Sequence, residues 1–520
     1  MASKGRVVIC LLRNDLRIHD NEVLSWANKN GNYLIPIYCF DPRHFAGTYH
    51  FGFPKTGPHR LKFLLECVKD LRKNLTARGS GLVVRQGKPE VVISELVQKL
   101  GVDNVHAITY HQEATQEELD VEKAIKESCG VKLVQSIWGH TLFHKDDLPF
   151  PVSRLPDVYT QFRKNVEGSC RVRQCIDLPE KLNPLPEGIE DGEIPSMEQL
   201  GLQEPPSDSR TAFPYEGGET TALERLNYFL WDTDAVATYK ETRNGMIGAD
   251  YSTKFSPWLA HGCISPRKIY FEIQRYEKER TANKSTYWVI FELLWRDYFR
   301  FVALKYGNKL FYQSGIQGKD IPWKQDKELF KAWKEGRTGV PYVDANMREV
   351  AATGFMSNRG RQNVASFLMK DLKLDWRLGA EWFESMLVDH DVCSNYGNWL
   401  YSAGLGNDPR EDRKFNMVKQ GLDYDPEGEY VRLWVPELKN ISGGSVHTVW
   451  SLSKNILSKA QVSLGEDYPN PIVIAPEWAR HAGKARGGGA QGFGGGRGGR
   501  GGGPKSAGQK RGIDFYFKSS

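Results

Sequence analysis

Cysteine is scarce in this chain. Eight cysteines occur in 520 residues (10, 39, 67, 129, 170, 175, 263 and 393), and none forms a CxxC pair. That scatter argues against a zinc site or a disulfide framework and for free thiols in a reducing compartment. No apolar run approaches the ~18 residues that a membrane helix needs. Charged-then-apolar leader patterns and Arg/Ser-rich presequences are also missing, so cytoplasm and/or nucleus is the expected location. The first strand is not followed by GxGxxG, which removes the dinucleotide-binding fingerprint. Excess charge is missing from the body too. The net charge is +6, but from Glu477 onward nine Lys/Arg face two acids, which leaves the remainder near −1. Attraction of the folded body to nucleic acid must therefore come from a local patch.

What is present divides the chain into four segments. Over 1–139, apolar strand signals at 7–12, 34–40, 82–85, 105–110 and 131–135 alternate with helical spacing at Leu61–Leu75, Val91–Leu100 and Leu119–Ile125. This βαβ series predicts a doubly wound, mainly parallel α/β sheet domain. Residues 140–215 are rich in Pro, Asp, Glu and Gly and read as a connector wrapped over the surface. Residues 216–480 read as almost entirely helical. Residues 481–520 form an RGG-like tail, with 15 glycines between 483 and 512, too poor in apolar residues for a core and read as disordered.

Two stretches carry the chemistry. Residues 389–399 read DHDVCSNYGNW, with Asp389 and Asp391 at the end of an apolar helical run. Two carboxylates there serve either as helix caps and solvated charges or as buried partners for Arg361 in Asn358-Arg359-Gly360-Arg361, and spacing does not choose between these. Residues 287–301 read YWVIFELLWRDYFRF, placing Glu292 and Arg296 on one helix face with Trp288, Trp295 and Phe299. An aromatic-walled pocket with a few fixed charges is the usual make-up of a cofactor site. The element Ser252-Thr253-Lys254-Phe255-Ser256-Pro257 places hydroxyls at a helix start, with Ser256 as the expected N-cap and Gly262 as the stop. It reads as an ordinary capped helix or as a phosphate seat. Trp323, Trp376 and Trp399 are, on spacing alone, core residues.

These motifs, together with LLRNDLRIHDN near the N-terminus, GFMSNRGRQNVASFLMKDLKLDW and DHDVCSNYGNWLY, resemble the photolyase/cryptochrome family in order across 1–480. YHQEATQEELDVE (110–122), TLFHKDDLPFPVSRLPDVYTQF (141–162) and the Tyr after NWL make the resemblance DASH-type. It implies an α/β domain plus an all-α domain that holds one non-covalent FAD. Tyr239, Ser252, Thr253, Lys254, Phe255 and Ser256 would grip its phosphates. Arg296, Asn358, Arg361, Asp389 and Asp391 would line flavin and adenine, with Asn395 facing the reactive ring nitrogen. Trp399, Trp376 and Trp323 would carry electrons inward. Glu292, Trp295 and Tyr401 would meet a cyclobutane pyrimidine dimer, Glu292 hydrogen-bonding its carbonyl edge if it carries a proton. Glu113 would hold a 5,10-methenyltetrahydrofolate antenna.

The implied activity is blue-light repair of dimers, mainly in single-stranded DNA, because Tyr401 stands where duplex enzymes carry Trp. The alternative is a blue-light photoreceptor. The tail adds two expected partners: RNA or other single strands through its arginines, and a sliding clamp through Gln509, Phe515 and Tyr516. The protein is expected to be a monomer.

Overall fold

The computed structural model describes residues 6–177, 179–408, 410 and 413–481. The expectations for 482–520 lie outside the described residues. The α/β domain is one five-stranded sheet: β1 (Val7–Leu12), β2 (Tyr33–Phe40), β3 (Val83–Gln86), β4 (Val105–His111) and β5 (Val134–Ile137). The order is β3-β2-β1-β4-β5 with every neighbour parallel, and Val8 lies between Leu34 and Ala107. β1 is VVICLL and buried at every position, because helices cover both sheet faces. The helix Pro58–Thr76 starts on a proline and buries Leu61, Leu65, Val68, Leu71 and Leu75, the stripe set by helical spacing. Glu22–Asn30 is a further helix that the strand-and-helix reading did not include, and β5 begins three residues later than expected.

The motif LLRNDLRIHDN is the bolt between the two domains. Arg17 Nη1 donates to Gly262 O at 2.9 Å and Leu16 N to His261 O at 3.2 Å. Glu219 accepts from Ile18 N at 2.8 Å, and Asp20 pairs with Arg267 at 2.7 Å. Gly262 has φ +69°, and a Cβ there would lie 1.8 Å from Asn14 O. It closes the short helix in an αL turn, and only glycine lets the two domains approach this closely.

The connector does more than wrap the surface. Its later part runs along the α/β domain, Leu34 N donating to Pro184 O (3.1 Å) and Val84 N to Asp191 O (2.7 Å). Its earlier part forms a helix, Tyr159–Ser169, whose Tyr159, Phe162 and Val166 enter the main core. The centre of the helical domain is the 23-residue helix Lys284–Tyr306, started by an Asn283/Thr286 capping box. It is buried on most of its circumference because the connector, the α/β domain and the helix Val392–Ala403 all pack on it. No helix among the described residues is long and apolar enough to cross a membrane.

Candidate functional site

Two helices, Lys284–Tyr306 and Val392–Ala403, carry Glu292, Trp295, Arg296, Asn395, Trp399 and Tyr401, and they pack on each other. On the side facing the helix Asn358–Ser366, Arg361 Nη2 meets Asp389 Oδ2 at 2.8 Å, with the Asp389 side chain 2% exposed. Arg361 Nε also donates to Met356 O. Asp391, in contrast, is the N-cap of the helix Val392–Ala403, its Oδ1 accepting from Ser394 N at 2.7 Å. The two readings left open for this carboxylate pair are thus each realised once. Burial alone would raise the Asp391 carboxyl, but Arg300 and Arg296 hold it below the usual range. Arg296 is itself lowered by burial, against the pull of Asp391; it donates to His140 O (2.5 Å) and Leu259 O (3.1 Å). Asn395 is buried and donates to Ala380 O at 2.9 Å.

In the Ser252–Ser256 element the capping expectation needs correcting. The helix Ser256–Ala260 has Phe255 at the cap position with no side-chain cap bond, and Ser256 lies inside its first turn, exposed. The element is instead held by Arg225, which donates to Thr253 O (3.1 Å) and Ser252 O (3.2 Å). Lys254 is its unusual residue. It has φ +62° and is 2% exposed, with Nζ 3.4 Å from the centroid of the Tyr251 ring and no hydrogen-bond partner among the described residues. Burial drives its ammonium well below its ordinary value, against the pull of Glu349. A strained, buried, unpartnered lysine is costly unless something polar meets it. Tyr215 Oη, Tyr251 Oη and Asp389 Oδ1 are likewise buried without partners. Tyr215 lies in the fields of Asp389, Tyr251, Arg361 and Arg225, so these orphaned groups form one cluster. The donor set fits an anionic, hydrogen-bonding cofactor such as FAD. Tyr239 is buried beside Arg243, while Asn358 is exposed at the start of its helix, its amide oxygen accepting from Gln362, and does not reach this cluster.

Further along Lys284–Tyr306 lies an open notch. Glu292 does not pair with Arg296, as helical spacing suggested. Its Oε1 accepts from Arg243 at 2.7 Å and from Trp288 Nε1 at 3.1 Å, and the side chain is 37% exposed. The reason is direction: Arg296 turns inward to backbone carbonyls while Glu292 faces the rim. Trp295 is half-buried, with the Tyr401 ring edge-on at 5.5 Å and 86°. Tyr401 Oη accepts from Arg410 at 3.2 Å. Arg243, Arg359, Arg410 and Arg413 border this side: Arg359 is lowered by burial and by Arg243, and Arg413 by burial and by Arg410. Arg243 was missed because its partner is 49 residues away, and no local pattern signals such a pair.

Trp399 and Trp376 are buried and Trp323 is half-exposed. Trp399 is seated on Gly379, where a Cβ would lie 2.1 Å from its ring, and Trp376 Nε1 donates to Gln313 O at 3.0 Å. Glu113 lies apart, fully buried between the domains. Its Oε2 accepts from Arg300 at 2.6 Å and its Oε1 from Asn14 Nδ2 at 3.1 Å, with His140 Nε2 at 3.3 Å. Burial opposes its charge, yet His140 and Arg300 hold its carboxyl well below the carboxylate range. Its carboxylate, the group the folate expectation rests on, is thus held ionised at the domain boundary, and each oxygen can accept further hydrogen bonds.

Comparison with known proteins adds a second line of argument. Residues 8–187 match the family model described as DNA photolyase, and residues 288–486 the FAD binding domain of DNA photolyase. Cryptochrome DASH of Xenopus laevis is 64% identical over 521 residues, covering 99% of each chain. That of Danio rerio is also 64% identical, over 100% of this chain and 99% of the relative. Among solved structures, a Synechocystis cryptochrome superposes with a TM-score of 0.88 at 50% identity, covering 94% of this chain and 99% of its own. A class III photolyase from Agrobacterium tumefaciens gives 0.80 at 30% identity, over 94% and 98%.

Proposed function

The chain belongs to the DNA photolyase family, in its cryptochrome DASH branch, and from that premise we propose that it splits cyclobutane pyrimidine dimers under blue light, chiefly in single-stranded DNA. The observation that carries this reading is the arrangement on two helices. The pair carries the notch of Glu292, Trp295 and Tyr401, and the Arg361–Asp389 pair adjoins it from the helix Asn358–Ser366 and the turn just before Val392. Bound FAD, once reduced, supplies a photoexcited electron to the dimer, and that chemistry belongs to the cofactor.

The protein's residues do the rest. Lys254 and the hydroxyls of Ser252, Thr253 and Ser256 would hold the pyrophosphate. Arg361, held by Asp389, and Asn395 would hold the flavin. In the notch, Glu292 Oε1 is already occupied by Arg243 and Trp288, which leaves Oε2 to accept from a pyrimidine N–H. Trp295 offers an indole face for stacking, a contact worth ~1–3 kcal/mol per base. Flipping a dimer out of a duplex costs a few kcal/mol and less in a single strand. Tyr401 is smaller than a tryptophan and repays less of that cost, which supports the single-strand preference. The bordering arginines supply the local positive patch that a body of net charge near −1 needs. Trp323, half-exposed, and the buried Trp376 and Trp399 would return an electron to the centre. A folate antenna held by Glu113 stays part of this reading, because the Glu113 carboxylate keeps acceptor sites beyond those met by Arg300 and Asn14. The retained Glu292 and Trp295 favour repair over light sensing alone.

The test is direct. Oligonucleotides carrying one thymine dimer, single-stranded or duplex, are illuminated with the reduced protein and the dimers counted by chromatography. Light-dependent loss should be faster on the single strand. No splitting overturns the function, and equal rates overturn the preference.

A further inference from the structure

The connector stretch 141–162 contains a tyrosine to which the sequence reading gave no role. Tyr159 and Trp295 are stacked face to face, with ring centroids 3.6 Å apart and planes 9° from parallel. Aromatic pairs ordinarily prefer an offset or edge-on arrangement with centroids 4.5–7 Å apart. So full an overlap persists only where neighbours fix both rings, and here they do. Tyr159 Oη donates to Phe291 O at 2.8 Å, and its ring stands edge-on to Phe291 (5.3 Å) and Tyr298 (5.6 Å). Tyr159 is 5% exposed and belongs to the core, whereas Trp295 is half-buried. One indole face is therefore spent on Tyr159. The indole is bordered further by Tyr401, perpendicular to it at 5.5 Å, and by Phe299, tilted by 31° at 5.4 Å.

We propose that Tyr159 is a positioning residue for the lesion site. It backs Trp295 and fixes the indole plane, so that an extruded pyrimidine stacks as the third layer of Tyr159, Trp295 and base. The inference deepens the repair reading and rests on it. Pre-setting the ring removes the cost of ordering it on binding. A connector helix thereby takes part in damage recognition without touching the substrate.

Binding separates this role from mere packing. Dissociation constants for a single strand carrying one thymine dimer, and for the same strand undamaged, are measured on flavin-loaded wild type, Tyr159→Phe, Tyr159→Leu, Trp295→Ala and the Tyr159→Leu/Trp295→Ala double variant. Tyr159→Phe keeps the stack and should stay within about twofold of wild type. Tyr159→Leu should weaken dimer binding by about five- to tenfold, with undamaged-strand binding unchanged, a loss within the range of one base stack. In the Trp295→Ala background the same change should do nothing further, because the plane it fixes is gone. If Tyr159→Leu does not fold, the more adaptable Tyr159→Met takes its place with the same expectations. A leucine variant that binds the dimer like wild type, or that loses as much without Trp295, overturns the inference alone. A wild type that does not discriminate the dimer overturns the repair reading and the inference with it.

Discussion

At the scale of single residues, the site is governed by which charges are paired. Asp389 is buried and Arg361 is its partner at 2.8 Å, though the Arg361 side chain is 27% exposed. Removing one partner of a fully buried pair costs ~3–5 kcal/mol, and the exposure of Arg361 lowers that to about 1–3 kcal/mol. Asp389→Ala should accordingly lose flavin faster on dialysis and unfold at a lower temperature. Retention equal to wild type would mean that the pair does not support the cofactor. Trp399→Phe belongs to the same scale. It should slow light-driven reduction of the oxidised protein, followed by absorbance, while repair by protein reduced beforehand continues. Normal photoreduction would remove Trp399 from the electron route. Both residues stood out in the sequence because the motif that holds them carries a role for each. Arg243 lies in no such motif, and Tyr159, though inside the stretch 141–162, had no role there. Each acts on a helix distant in sequence, and a tyrosine in a proline-rich connector gives no periodic signal.

At the scale of elements, Asp297 shows how one buried side chain fixes a helix to a loop. It lies on Lys284–Tyr306 and accepts from Leu142 N (2.9 Å) and Phe143 N (2.8 Å) at the start of the connector. Burial pushes its carboxyl up to about 7, although both amides and Arg296 favour the charged form. Asp297→Ala orphans two buried amides at ~1–3 kcal/mol each, so a drop of about 2–5 kcal/mol in unfolding free energy is expected by denaturant titration. A change below about 1 kcal/mol would show that water replaces the carboxylate. Elements were legible where one pattern dominated. β1 is apolar throughout and was read to the residue; Pro58–Thr76 shows a clean stripe. Glu22–Asn30 was not read, since EVLSWANKN buries only Val23, Leu24, Ser25 and Ala27 and presents polar residues elsewhere. The Ser256 cap failed for a tertiary reason: Arg225 holds the preceding loop in a turn that moves the helix start by one residue.

At the scale of the whole molecule, buried titratable groups set opposing pH limits. Burial raises Asp297, Glu349 and Glu384 each to about 7. The folded chain holds these protons where the unfolded chain releases them near 4. Their contribution is therefore complete below pH ~4 and is lost as pH rises through about 7. Burial lowers His261 and His447 each to about 4. The unfolded chain takes up these protons below ~6.5 and the folded chain does not, so stability is lost as pH falls from about 6.5 towards 4. The two slopes oppose each other over the same window, and because three carboxyls outnumber two imidazoles, these groups together should lower the thermal midpoint of the flavin-loaded protein as pH rises from ~4.5 to ~7, with a plateau above. Asp297→Asn, which cannot ionise, leaves two carboxyls against two imidazoles and should flatten that fall while lowering the curve as a whole, because its amide can accept from only one of the two backbone donors. Scans from pH 4.5 to 8.5 decide the matter. A midpoint that instead rises from pH 5 to 7 would mean that these carboxyls find compensation, through water or rearrangement, that their buried positions do not suggest.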